Sequence, residues 1–215
     1  MKNIFCIVGA GDNSGTKLVI PPNAFVIAAD GGLNYLEEAK VKPDIIIGDF
    51  DSLGRVPEGE MVIRCNAEKD DTDTMISVRE ALSRGAKTIL IYGGLGGRLD
   101  HSIANLQTLS YIANQGACGF LIGCGCVCTV IKNGSIDFGE EMSGLISVFC
   151  LGDRAEGIYI RGLKYELTNH TLSNSLPLGV SNEFMGRRSS VSVKDGLLLL
   201  VFSDGEFNPQ KYTIS

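Results

Sequence analysis

The sequence predicts an N-terminal, three-layer α/β domain with a parallel sheet, followed by a small C-terminal antiparallel β-sandwich. In residues 1–132, short apolar runs alternate with segments of helical periodicity, which is typical of a parallel sheet with crossover helices. In residues 133–215 the helical pattern disappears and turn dipeptides separate short β-prone runs, as in a sandwich. A length of 215 residues allows either one large domain or these two smaller ones.

The first domain is predicted to contain six strands, each a short apolar run suited to a buried parallel sheet. They are expected at residues 4–8, 25–29, 45–48, 61–63, 89–92 and 120–122. Between them, apolar residues recur at helical spacing, as Met75, Val78 and Leu82 do. This periodicity predicts helices at 32–40, 73–84 and 102–114.

The second domain is predicted from runs rich in β-branched and aromatic residues. They are expected at 145–150, 157–160, 165–167, 189–193 and 197–202. Turns are indicated by Asn133-Gly134, Gly152-Asp153, Asp195-Gly196 and Asp204-Gly205.

Three cysteines alternate in CGCVC, at Cys124, Cys126 and Cys128. On one strand they would share a face, as buried thiols that act as small hydrophobic groups. A metal site is the alternative, although no histidine or CxxC pair lies nearby.

Charge and hydropathy exclude several functions and locations. Lys and Arg total 19 against 25 Asp and Glu, a net charge of −6, so no basic stripe for nucleic acid is expected. The apolar run 197–202 has six residues, far short of the roughly 18 that a membrane span needs. The sequence shows no export signal and an odd number of cysteines, seven, so a reducing, cytoplasmic location is expected.

Four polar clusters lie beside the predicted elements of the first domain. ADGG (29–32), GDFDS (48–52) and GGLGGRLDH (93–101) each follow a predicted strand, and KDDTD (69–73) opens a helix. Because ligands of open parallel sheets bind outside the carboxyl ends of strands, these clusters are expected to converge on one crevice.

The residue types in these clusters suit a complex of metal and polyphosphate. Asp49 and Asp51 would point the same way on extended backbone and supply the oxygen ligands that divalent cations prefer. The glycine-rich loop opens a helix, where backbone N–H groups and the dipole favour phosphate, and Arg98 adds a planar fork of donors. The loop does not match GxxxxGK[ST], and the first turn of the chain, GAGDNSG (9–15), spaces its glycines wrongly for GxGxxG.

Each cluster also has a purely structural interpretation. ADGG could be a tight turn and GGLGG a flexible loop. Asp70 or Asp71 could cap the helix at 73–84, and Asp100 could cap the next helix. In the second domain, Ser181 and Asn182 could read a polar heterocycle or simply form a β-turn. Tyr165 could stack on a ligand or pack in the core or at its rim.

Taken together, the clusters resemble the thiamine pyrophosphokinase family. The resemblance rests on ADGGLN (29–34), PDIIIGDFDSL (43–53), KDDTD (69–73), GGLGGRLDH (93–101), GLKYELTN (162–169) and VSNEF (180–184). It implies the same two-domain fold, and a homodimer with each site between the α/β domain of one subunit and the sandwich of the other. The implied reaction moves a diphosphoryl group from ATP to the hydroxyl of thiamine, giving thiamine diphosphate and AMP.

The resemblance also implies roles for individual residues, with Mg²⁺ as the cofactor. The implied Mg²⁺ ligands, catalytic together with Arg98, are Asp49, Asp51, Asp73 and Asp100. The implied ATP-binding residues are Asp30, Asn34, Thr72, Gly93, Gly94, Gly96, Gly97, Arg98 and His101. The implied thiamine-binding residues are Tyr165, Ser181 and Asn182. The nucleotide and Mg²⁺ thus belong to 1–132, and thiamine to 133–215.

Two departures from the family pattern are visible. The chain has no Trp, and Tyr165 stands where animal members carry one; a Tyr ring stacks more weakly on a cation. His101 stands where some members have Gln. Either Asp73 or Asp100 is expected to accept the proton of the attacking hydroxyl. The alternatives are a related pyrophosphokinase with another hydroxymethyl acceptor, such as a pterin, and a non-catalytic module that binds nucleotide or thiamine.

Overall fold

The computed structural model describes residues 2–13, 15–50, 53, 57, 61–65, 71–203 and 207–215, without the side chain of Gln210. By its internal contacts the chain divides into two compact units, Met1–Cys124 and Gly125–Ser215. The domain limits expected from the sequence, 1–132 and 133–215, stay a prediction.

The first unit is built on a parallel sheet. Its strands are β1 (Ile4–Val8), β2 (Phe25–Ala29), β3 (Ile45–Gly48), β4 (Val62–Arg64), β5 (Thr88–Tyr92) and β6 (Cys118–Gly123). They lie in the order β6-β5-β1-β2-β3-β4, and every neighbouring pair is parallel. Four of the five residues are buried in each of β1, β2 and β5. This burial explains why the strands read as continuous apolar runs.

Three helices accompany this sheet: α1 (Gly32–Glu38), α2 (Asp73–Ser83) and α3 (Leu99–Asn114). All three were expected, but α3 begins three residues before the predicted start at 102. The apolar periodicity missed this first turn because its residues, including Leu99 and Asp100, are exposed.

The second unit has strands β7 (Cys126–Lys132), β8 (Ser135–Phe138), β9 (Leu145–Cys150), β10 (Arg154–Arg161), β11 (Leu167–Ser173), β12 (Gly179–Glu183), β13 (Ser189–Ser192), β14 (Leu197–Phe202) and β15 (Tyr212–Ile214). They form two antiparallel layers, β12-β9-β14-β7 and β11-β10-β13-β8-β15. Phe138, Phe202 and Tyr212, which come from both layers, pack edge to face with ring centroids 5.3–5.8 Å apart. The predicted β-sandwich is confirmed.

Two expectations for this part of the chain are wrong. The CGCVC cysteines do not share one strand, because Cys124 and Gly125 form a turn with φ of 51° and 71°, and only Cys126 and Cys128 belong to β7. Tyr165 does not begin a strand either. The Glu166 carboxylate accepts a 2.8 Å hydrogen bond from the Gly162 N–H and closes a loop there, so β11 begins only at Leu167.

Candidate active site

Three carboxylates of the first unit converge. Asp30, Asp49 and Asp73 are each half-buried, and each offers an oxygen that lies within 4.8 Å of the other two. They follow β2, follow β3 and open α2, respectively. Close oxygen donors of this kind suit a hard divalent cation.

The backbone around the cluster is constrained to bring these carboxylates together. Asp30 has a φ of 48°, and its N–H donates a 2.7 Å hydrogen bond to the carbonyl of Ile47. A Cβ at Gly48 would lie 3.0 Å from the Asp30 Cα, so the close approach of the two chain segments favours glycine. On the other side of Asp49, Phe50 has a φ of 66°. Such non-glycine conformations are concentrated at functional sites.

Asp73 is positioned by the start of α2. The N-cap is Thr72, whose hydroxyl accepts a 3.1 Å hydrogen bond from the Met75 N–H, which leaves the Asp73 carboxylate in the first turn. The expectation that Asp70 or Asp71 caps this helix is therefore wrong for Asp71, which pairs instead with Arg79 at 2.8 Å. Asp70 lies outside the described residues.

A cleft of about 380 Å³ opens beside the cluster. Asp30 and Thr72–Thr74 form part of its wall, and the glycine-rich loop with Arg98 and His101 forms another part. Its volume is within the usual range for small-molecule sites, about 300–1,000 Å³. Asp49 belongs to the carboxylate cluster but is not one of the described residues that line the cleft. The other two carboxylates, Asp30 and Asp73, do line it.

The glycine-rich loop is held from two sides. Gly93 has a φ of 68°, and a Cβ there would collide with the Gly9 carbonyl. The Gly11 N–H donates to the Gly93 carbonyl at 3.1 Å, and the buried amide of Asn105 in α3 donates to the Gly94 carbonyl at 2.8 Å. The loop is therefore shaped before any ligand binds.

Sequence reasoning missed two contributors to this cleft. The turn after β1, Gly9–Asp12, and Asn105 of α3 both line it. The turn offered a signal, because glycine-rich residues follow a strand there, but its spacing fits no phosphate-binding fingerprint. Asn105 gave no sequence signal, because a single polar residue on a helix has no pattern of its own.

The structure places Asp100 apart from the three-carboxylate cluster. Its carboxylate accepts a 2.6 Å hydrogen bond from the Arg98 guanidinium, and both side chains are exposed. This hydrogen bond lowers the pKa of Asp100 and raises that of Arg98. A metal role for Asp100 stays a prediction. Asp51 lies outside the described residues.

The remaining residues expected to bind nucleotide fall into two groups. Thr72, His101 and the glycines 93, 94, 96 and 97 line the cleft. Asn34 is exposed on α1 and is not one of the lining residues that the structure describes.

The residues expected to bind thiamine lie in the second unit. Tyr165 is 62% exposed in the loop between β10 and β11. Ser181 is exposed on β12 and has a φ of 59°. Asn182 is buried, and its side-chain amide bonds the backbone of Tyr165. Two of the three side chains are therefore accessible to a ligand.

Comparison with known proteins gives matches along both units. The family model described as "Thiamin pyrophosphokinase, catalytic domain" matches residues 16–118, and "Thiamin pyrophosphokinase, vitamin B1 binding domain" matches residues 135–198. The chain belongs to the thiamine pyrophosphokinase family. The resemblance identified from the sequence motifs is thereby confirmed.

Individual relatives agree with this assignment. The thiamine pyrophosphokinase of Bacillus subtilis (strain 168) is 28% identical over 217 aligned residues, covering 94% of this chain and 99% of the relative. A crystal structure of a B. subtilis thiamine pyrophosphokinase matches with a TM-score of 0.81 at 26% identity, over 94% of this chain and 99% of that one. The Enterococcus faecalis family protein matches with a TM-score of 0.80 at 29% identity and the same coverage.

The Candida albicans enzyme shares the fold at 18% identity, with a TM-score of 0.72, over 94% of this chain and 90% of that one. The predicted fold class is confirmed. Thiamine pyrophosphokinases are ATP-dependent diphosphotransferases that act on thiamine, and the chain is an enzyme of this class. Nothing in these matches favours another acceptor or a non-catalytic module. Among the described residues, no helix is long and apolar enough to cross a membrane.

Proposed function

We propose that ATP reacts in the acidic cleft of the first unit and that Asp30, Asp49 and Asp73 hold the Mg²⁺ that the reaction needs. The observation that carries this proposal is the convergence of three half-buried carboxylates beside a preformed glycine loop. Their oxygen donors fit Mg²⁺, which prefers carboxylates and phosphate oxygens. When bound, the ion supplies positive charge to the polyphosphate.

Arg98 and the glycine loop bind the phosphate oxygens in this proposal. The loop leads directly into α3, whose N-terminal dipole favours negative charge. The ion pair of Arg98 with Asp100 is exposed, and such pairs are weak because the solvent screens them. A phosphate can therefore displace Asp100 and bind the Arg98 guanidinium. Either Asp73 or the released Asp100 then accepts the proton of the thiamine hydroxyl.

Tyr165 and Ser181 contact thiamine in the second unit. Thiamine carries a permanent positive charge on its thiazolium ring, and the face of a Tyr ring attracts cations. The exposed ring of Tyr165 offers such a face. The hydroxyl of Ser181 offers a hydrogen bond to the pyrimidine.

The protein acts as a homodimer in which the α/β domain of one subunit and the sandwich of the other form each site, as the resemblance implies. Large exposed apolar side chains support a protein contact: Leu145 begins β9, Val180 lies on the edge strand β12, and Met185 follows it. The cytoplasm is the proposed location, because Cys6, Cys118, Cys124 and Cys150 are thiols. The net charge of −6 argues against nucleic acid as a partner.

The direct test is to incubate the purified chain with ATP, MgCl₂ and thiamine and to identify products by mass spectrometry. Thiamine diphosphate and AMP should form in equal amounts, and EDTA should stop the reaction until Mg²⁺ is restored. Asp73→Asn should lower turnover about 100-fold or more, whereas Asp137→Asn, an exposed acid on β8, should not. ADP as the product would contradict diphosphoryl transfer, and a fully active Asp73→Asn would contradict the proposed cleft.

A further inference from the structure

The side chain of Asn182 is committed to the backbone of Tyr165. Asn182 is only 5% exposed. Its Oδ1 accepts from the Tyr165 N–H at 2.9 Å, and its Nδ2 donates to the Tyr165 carbonyl at 2.7 Å. The same Oδ1 also accepts from the Glu183 N–H at 2.9 Å. A buried amide with both ends used in this way faces the protein and holds a loop.

The loop that carries Tyr165 is fastened to β12 and its neighbourhood at several points. The Lys164 N–H donates to the Glu183 carbonyl at 3.0 Å, and the Arg187 guanidinium donates to the Gly162 carbonyl at 3.0 Å. Both of these bonds hold residues that precede Tyr165 in the loop. At Tyr165 itself, one side chain, that of Asn182, bonds both backbone polar groups.

A β-bulge on β12 places Asn182 for this task. Between the pairs Gly179–Val148 and Asn182–Ile146, β12 advances three residues while β9 advances two. Ser181 takes up the extra length with its φ of 59°, and its N–H donates to the Ser147 hydroxyl at 3.1 Å. Bulges redirect side chains in this manner. Ser181 is turned to solvent and Asn182 is buried.

We propose that Asn182 is a positioning residue for thiamine, which acts by fixing the backbone that carries the Tyr165 ring rather than by touching the substrate. This inference rests on the proposed role of Tyr165 in thiamine binding. An exposed ring on a loop loses conformational entropy when a ligand fixes it, and a preformed ring avoids that cost. Asn182 provides this preorganisation from the buried side of the loop.

The absence of Trp from the chain makes a clean fluorescence test possible. Tyr165→Trp introduces a single tryptophan at the proposed stacking position. Thiamine titration should quench its emission and yield a dissociation constant. In the same background, Asn182→Ala should lower the anisotropy of the ligand-free tryptophan and raise that dissociation constant about tenfold, as expected for the loss of buried hydrogen bonds. The KM for ATP should not change.

Each outcome separates one idea from another. If Asn182→Ala weakens thiamine binding but leaves the ligand-free anisotropy unchanged, Asn182 touches the substrate and the positioning role is wrong. If the anisotropy falls while thiamine affinity stays, the ring's order does not serve binding, and the inference also fails. If thiamine does not quench Tyr165→Trp at all, the proposed role of Tyr165 fails, whereas the anisotropy still reports on the bond to Asn182.

Two further variants protect the test against a folding defect. Asn182→Asp keeps an acceptor for the two N–H groups but loses the donor to the Tyr165 carbonyl, so it should give an intermediate anisotropy and affinity. Ser190→Ala, on β13 of the same unit, is the control and should match the parent in both measurements. An Asn182→Asp protein identical to its parent in both would contradict the proposal.

Discussion

Asp30, a member of the carboxylate cluster, and Phe50, which follows Asp49, have left-handed backbone conformations, with φ of 48° and 66°. For a non-glycine residue this region costs about 1–3 kcal/mol. The surrounding fold must offset that cost, which falls on residues at and beside the carboxylates proposed to hold Mg²⁺. The motif GDFDS suggested the acids, but its letters do not reveal the backbone strain.

A buried serine in α2, Ser77, allows a prediction about the free energy of unfolding. Ser77 of α2 is 0% exposed, and its hydroxyl has no hydrogen-bond partner among the described residues. Ser77→Ala should raise the free energy of unfolding by about 1 kcal/mol, because it removes an unsatisfied hydroxyl and improves helix propensity. Urea denaturation of both proteins measures the difference.

The matched control for this change is Ser83→Ala in the same helix. The Ser83 hydroxyl donates a 2.8 Å hydrogen bond to the Glu80 carbonyl at an exposed position, so its loss should change stability by less than about 0.5 kcal/mol. A clear loss of stability in Ser77→Ala would show that its hydroxyl is satisfied by a buried water.

The elements themselves explain which residues meet in the cleft. β2 and β3 are parallel neighbours with Ala29 beside Ile47, so the residues that follow them, Asp30 and Asp49, must lie close together. The sequence predicted both strands, because strands buried on two faces appear as continuous apolar runs. It did not predict their order in the sheet. The family resemblance implied that Asp30 binds nucleotide, and the strand order brings it into the carboxylate cluster.

Edge elements were harder to predict for a physical reason. β12 has the sequence GVSNE, with Val180 and Ser181 exposed and a bulge within it, so neither alternation nor an apolar run marks it. The turn interpretation of Ser181 and Asn182 rested on their residue types, which are common in turns. The burial of Asn182 depends on a loop 17 residues earlier in the chain, which local patterns cannot register.

Gly48 provides a prediction at the level of paired strands. In Gly48→Ala the new Cβ would lie 3.0 Å from the Cα and 3.1 Å from the Cβ of Asp30, so β2 and β3 must separate or Asp30 must move. We expect a stability loss of about 1–3 kcal/mol and a several-fold higher Mg²⁺ concentration for half-maximal activity. Chemical denaturation and a Mg²⁺ titration of the initial rate measure the two effects.

Gly152→Ala controls for the general effect of adding a methyl group to a glycine. Among the described residues its new Cβ would meet only the Arg154 carbonyl, at 3.9 Å, so stability and Mg²⁺ dependence should both match the parent protein. If Gly48→Ala has an unchanged Mg²⁺ dependence, the approach of Asp30 to Asp49 is irrelevant to metal binding.

At the scale of the whole molecule, the net charge of −6 affects how the protein can bind a polyphosphate. A negative protein repels a polyphosphate at long range, and the convergence of three carboxylates adds negative charge at the cleft. A divalent cation held by these carboxylates offsets two of their three negative charges and presents a positive centre to the phosphate oxygens. The metal requirement therefore follows from the charge distribution as well as from the ligand set.

The last prediction concerns which units supply the residues of one active site. Asp73 belongs to the first unit and Tyr165 to the second, so the proposed homodimer can be tested by mixing defects. We consider a heterodimer with Asp73→Asn in one subunit and Tyr165→Ala in the other. If each site uses the first unit of one subunit and the second unit of its partner, one site carries both defects and the other carries none. Such heterodimers, isolated with two affinity tags, should have about half of the wild-type activity.

The matched control places both substitutions in one subunit and pairs it with a wild-type subunit. In that arrangement every shared site contains one defect, so the heterodimer should be almost inactive. If each site instead lies within a single subunit, the two results exchange places: the control keeps about half of its activity and the first heterodimer loses nearly all of it. Because both heterodimers contain the same two substitutions, a difference between them cannot come from protein stability and reports only on which units form a site.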